Sequence, residues 1–173
     1  MARFIAKLGL MAAAATLATP ALAQDPGSRQ TREFVQAAAQ SDQFEIMEAQ
    51  TVLAQSQTPR VRAFAEAMIQ AHRQTSADLL QAVQKAGLKL PNPGIGGDQS
   101  AFLAALQSQR GPDLDRTYLR QQALAHRSAL AVEQGYAASG DEATVRQAAV
   151  AAVPIITSHL KMAEQMEAEA GGS

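Results

Sequence analysis

The 173 residues contain no cysteine and no tryptophan. Without thiols there can be no disulfide, no thiolate metal site and no cysteine nucleophile. Charge of one sign is also missing. Lys and Arg number 15 against 16 Asp and Glu, with no basic block, so the electrostatic footprint of a nucleic-acid binder is absent. Aromatic residues are only 4% of the chain, whereas alanine is about a fifth. That bias favours helix over strand. The composition predicts an all-α domain, and the length suits one.

The one apolar run is at the start. Arg3 and Lys7 precede the stretch from Leu8 to Leu17, and Ala21-Leu22-Ala23 has the small-x-small pattern of a signal-peptidase site. The run is shorter than the roughly 20 residues of a membrane anchor and is broken at Thr19-Pro20. Residues 1–23 therefore read as a signal peptide cleaved after Ala23, and 24–170 as the mature domain, destined for the periplasm. Loss of Arg3 and Lys7 leaves the mature chain mildly acidic, at about −3. No later segment is long and apolar enough to be a transmembrane span.

Apolar and small residues then recur at helical spacing in four long segments, expected at 31–55, 58–86, 113–138 and 141–168. Thr58-Pro59 is a helix-start signal and Gly87 a stop, while Asp141 is placed to cap the fourth helix. Asp113, Asp115 and Glu142 sit where acidic residues complement a helix N-terminus. The first and second helices, like the third and fourth, are joined by short links. Residues 87–112, with Leu90-Pro91-Asn92-Pro93-Gly94-Ile95-Gly96-Gly97 near their start, form a long crossover containing a short segment from Asp98 to Gln109. Short link, long crossover, short link is the connectivity of a ferritin-like four-helix bundle. Pro154 falls inside the fourth helix, where it should produce a kink and free a carbonyl near Val150. The tail Gly171-Gly172-Ser173 should fray.

Alternating steps of four and three trace the core-facing seam of each helix. The first reads Phe34, Ala38, Ser41, Glu45, Glu48, Val52, and the second Val61, Ala65, Met68, His72, Thr75, Leu79. The third reads Leu119, Gln122, His126, Ala129, Glu133, Tyr136, and the fourth Val145, Ala149, Ala152, Ile156, His159, Ala163, Met166. All three histidines of the chain fall on seams, each on a different helix. Counting from the turns sets Glu45 and His72 about 3 Å apart in height, and His126 and His159 about 6 Å.

Two readings of Glu45, His72, His126 and His159 follow. One is a buried polar layer whose members satisfy one another. The other is a metal site of imidazoles and one carboxylate, suited to zinc, copper or iron. A carboxylate-bridged dinuclear site would need Glu-x-x-His on two helices. Here Ile69, Ala123 and Ile156 stand three residues before the histidines. Met47, Met68, Met162 and Met166 read as core filler. The glycine-rich Gly94-Ile95-Gly96-Gly97 follows no strand and is a poor phosphate cradle. No Ser/His/Asp grouping stands out, so no catalytic residue is assigned and an enzyme is disfavoured.

Several stretches resemble an exported bacterial family, domain of unknown function 4142. They are Phe34-Val35-Gln36-Ala37-Ala38, Glu45-Ile46-Met47-Glu48-Ala49, and Val61 to Ile69 leading to His72. The later half agrees through Leu90-Pro91, Asp115-Arg116-Thr117-Tyr118, His126, and Pro154 followed by His159-Leu160. The sequence departs at Ala71, where the family usually has Asp before the histidine. The resemblance implies a ferritin-like fold and export, and no established activity. The expectation is a non-enzymatic periplasmic protein with a binding or envelope-stress role, or a metal-binding or redox protein using the His/Glu cluster. Its ligand is unknown, and a homo-oligomer or an envelope partner is open.

Overall fold

The computed structural model describes residues 26–92 and 94–171, and the signal-peptide reading of 1–23 lies outside them. Five helices occur in order: α1 Arg29–Gln55, α2 Pro59–Lys85, α3 Gly97–Gln107, α4 Gly111–Ser139 and α5 Ala143–Gly171. The fold is all-α among the described residues. Four helices were expected, and the fifth is α3, which occupies the segment placed inside the crossover. Leu103 and Leu106 bury its inner side. Leu106 joins a core containing Phe64, Met68, Leu114 and Tyr118, so burial gives this short helix the stability its length does not.

Several helix ends follow the sequence signals, and some do not. Ser28 caps α1 by accepting the Thr31 N–H at 3.0 Å. α2 opens with Pro59 and stops before Gly87, whose φ of +65° is the left-handed conformation that favours glycine. The Thr58 hydroxyl does not cap α2 but donates to Asp115 Oδ2 at 2.5 Å, tying the α1–α2 turn to α4. At α5 the Glu142 carboxylate, not Asp141, accepts the Val145 N–H, at 2.6 Å. Asp141 instead accepts from Thr31 Oγ1 at 2.6 Å. A carboxylate this near the start of α1 serves the neighbouring helix as readily as its own. α5 runs through Pro154, and Val150, the residue one turn back, is exposed.

α1 packs on α2, α4 on α5, α1 on α4 and α2 on α5, with α3 resting on α1 and α4. The interior has two apolar levels. Phe64, Met68, Leu114, Tyr118 and Met166 belong to one. Phe34, Val83, Tyr136 and Val145 belong to the other, where the Phe34 and Tyr136 rings stack at 4.0 Å. Most of the buried polar residues fall between these levels or at their edge: Asp42, Glu45 and Glu48 on α1, His72 on α2, Gln122, His126 and Glu133 on α4, and His159 on α5. The core is therefore two hydrophobic plugs separated by a polar belt.

Candidate metal centre

The belt exists because helical periodicity sends these side chains inward. His72, His126 and His159 leave three different helices and meet in the interior, each no more than 8% exposed. Their ring centroids are 5.5, 5.6 and 5.4 Å apart, a nearly equilateral triangle. One ring nitrogen from each lies within 4.8 Å of the other two, the geometry of a three-ligand site.

Each ring has a nitrogen to spare. His72 Nδ1 is 2.8 Å from Asp42 Oδ1, and His126 Nδ1 is 2.9 Å from the Gln122 carbonyl. Among the described residues the buried Nε2 atoms of His72 and His126, and Nδ1 of His159, have no hydrogen-bond partner. Orphaned ring nitrogens at closely packed imidazoles are costly in a core. A metal ion would satisfy them. Fixing the other ring nitrogen on a carboxylate or a backbone carbonyl is how metal-binding histidines are usually oriented.

Two of the three rings are pulled in opposite directions. Burial, with His126 and His72 alongside, pushes the His159 imidazole down to about 3, so it is neutral at physiological pH. Burial also presses His72 downward, but the Asp42 hydrogen bond and the charges of Glu45 and Asp42 outweigh it and leave that pKa raised. Asp42 Oδ1 also accepts from Thr75 Oγ1 at 2.8 Å, and Oδ2 from Ser76 Oγ at 3.0 Å. This carboxylate is therefore fixed as well as the ring it holds.

Glu45 is brought to the cluster but not into the three-nitrogen group. Its Oε1 lies 3.5 Å from His126 Nδ1, the nitrogen turned to the Gln122 carbonyl. Gln122 Nε2 donates to Glu45 Oε2 at 2.5 Å and Glu48 Oε2 at 3.1 Å, joining two buried carboxylates. Burial and the neighbouring Glu45 charge push the Glu48 carboxyl well above its ordinary range.

Asp42 is the residue at the cluster that the sequence reading passes over. The seam traced through Ser41, yet Asp42 is buried and Ser41 only half-buried. Its signal was available: Asp42 and Glu45 are three residues apart and share a face of α1. The residue before His72 is Ala71, and the carboxylate on the His72 ring comes from α1. Of the methionines, Met68 and Met166 are core residues and Met162 is exposed.

The family described as Domain of unknown function (DUF4142) matches residues 16–166. The chain belongs to that family. No curated protein matches it. Among solved structures, a DUF305 fragment from Deinococcus radiodurans is 20% identical with a TM-score of 0.72, covering 83% of this chain and 99% of its own. A DUF305 protein from Streptomyces coelicolor, described as a candidate secreted protein, is 16% identical with a TM-score of 0.70, covering 82% and 94%. At these identities the likeness to DUF305 is one of fold. The DUF4142 chain thus shares its helical architecture with a second family of undefined function. No helix among the described residues is long and apolar enough to cross a membrane.

Proposed function

We propose that this chain is an exported, periplasmic, ferritin-like bundle that binds one transition-metal ion through His72, His126 and His159, and acts in binding rather than catalysis. The observation that supports it most is that three buried histidines from three helices each bring a ring nitrogen within 4.8 Å of the others, and each also carries a buried ring nitrogen without a hydrogen-bond partner among the described residues. Metal–imidazole bonds of 2.0–2.1 Å put tetrahedral ligands about 3.4 Å apart. Donors already within 4.8 Å need at most about 1.4 Å of contraction to reach that spacing. Three imidazole donors suit copper, zinc or iron, and the general order of affinities places copper(II) first among these. Glu45 is assigned a supporting position behind His126, not a bond to the ion.

The export reading rests on the small-x-small site after an apolar run, and the ferritin-like reading on four long helices joined by short, long and short connections. Mass spectrometry of the secreted product tests the first. A mature N-terminus at Gln24 supports cleavage after Ala23, and an intact Met1 in the periplasmic fraction contradicts it.

The second reading, a purely structural polar layer, is favoured by the self-contained bonds of Asp42 to His72, Thr75 and Ser76. Equilibrium dialysis against zinc, copper(II) or iron(II) separates the two. Retained metal at one ion per chain supports the site. Failure to retain any of the three, with His72→Ala only lowering the melting temperature, leaves the polar layer.

A further inference from the structure

Away from the histidines, a cavity of about 580 Å³ lies between α1, α3 and α4. Its volume is that of small-molecule sites, about 300–1,000 Å³. Small side chains make the room. Ala37, Ala38 and Ser41 of α1 and Ala125, Ser128 and Ala129 of α4 line it, where larger side chains would fill the gap. α3 spans the gap and contributes Phe102, and Leu124 and Val132 of α4 are apolar residues left exposed at the same cavity.

The charge of the lining is of one sign. Glu133 and Asp98 are its ionisable groups, and no Lys, Arg or His joins them. Glu133 is 7% exposed, and its Oε2 is buried with no hydrogen-bond partner among the described residues. A nine-tenths buried carboxyl without a partner, at the edge of an apolar slot, leaves a polar requirement that a ligand can meet.

We propose that this cavity binds a small amphiphilic amine, with its apolar body between α1 and α4 and its ammonium group against the Glu133 carboxylate and the acidic mouth at Asp98. Anionic amphiphiles meet two acidic groups and no cation, and neutral ones leave the carboxyl uncharged or unpaired. Burial, with Asp42 nearby, raises Glu133 to about 8, the condition an ammonium partner would relieve. None of the three histidines lines this cavity, and the proposal would stand if their centre held no metal.

The test is calorimetric titration of the purified protein with octylammonium, octanol and octanoate, which share a chain and differ in head charge. The expected result is saturable binding of octylammonium at least tenfold tighter than of the other two. Glu133→Gln should reduce that preference to about twofold or less while octanol binding persists. Ser128→Trp, at an exposed lining position where folding is not at risk, should weaken all three at least tenfold. Equal or tighter binding of octanoate or octanol, an unchanged preference in Glu133→Gln, no effect of Ser128→Trp, or no saturable binding would each overturn the proposal.

Discussion

At the scale of single residues, the fate of a buried polar group depends on its partners. Asp42 has three side-chain partners and fixes His72, so Asp42→Asn should weaken metal binding about 10- to 100-fold, as loss of a histidine's supporting carboxylate generally does. A competition titration with a chromogenic chelator reads the change; unaltered affinity would show that Asp42 does not position the ring. Glu133 is the opposite case, buried and raised to about 8. In the unfolded chain an ordinary Glu releases its proton near 4.3. Between the two values the unfolded state binds fewer protons than the native one, so this group's contribution to stability falls as pH rises from about 4 to about 8. At 1.36 kcal/mol per unit the loss is at most on the order of 5 kcal/mol. Glu133→Gln should therefore gain stability relative to wild type on going from pH 5 to pH 8, as measured by urea unfolding with a chelator present. A constant difference between the two proteins would contradict the assignment.

At the scale of elements, the helix ends set where the belt falls. Gly140 closes the α4–α5 link, and a Cβ there would lie 2.6 Å from the Tyr136 carbonyl oxygen and 2.5 Å from its ring. That ring stacks on Phe34, and its hydroxyl is 2.7 Å from Thr31 Oγ1. Gly140→Ala should cost about 1–3 kcal/mol, the range for overpacking, by displacing Tyr136. Thermal unfolding measures it, and the same melting temperature as wild type would mean the link relaxes freely. The four long helices were legible because their apolar period is regular over seven or more turns. α3 was not, because 11 residues with a glycine start and two buried leucines carry too little periodicity to separate a helix from a loop.

Viewed as a whole molecule, the DUF4142 chain is two hydrophobic plugs around a polar belt, and the belt is where its function should be sought. The meeting of the three histidines was readable in outline, since each lies on a helical seam. Their relative height was not, because it depends on how the crossover sets one helical hairpin against the other. Asp42 escaped because strict four-and-three stepping follows a seam one residue wide, whereas a buried face is broader. A ligand that binds only the native state stabilises it, by about 2.7 kcal/mol at a hundred times its Kd. Bound copper or zinc should thus raise the melting temperature of the metal-free protein, and a chelator should reverse the rise. A melting temperature that neither ion moves would contradict a site in the folded core.

The most direct measurement is the metal content of the purified protein after loading with copper(II) or zinc and exhaustive dialysis, beside the His72→Ala/His126→Ala double variant. One ion per wild-type chain, and none in a double variant whose circular dichroism shows it still folded, is the predicted result. No retained metal in the wild type, or equal retention in both, would contradict the three-histidine centre.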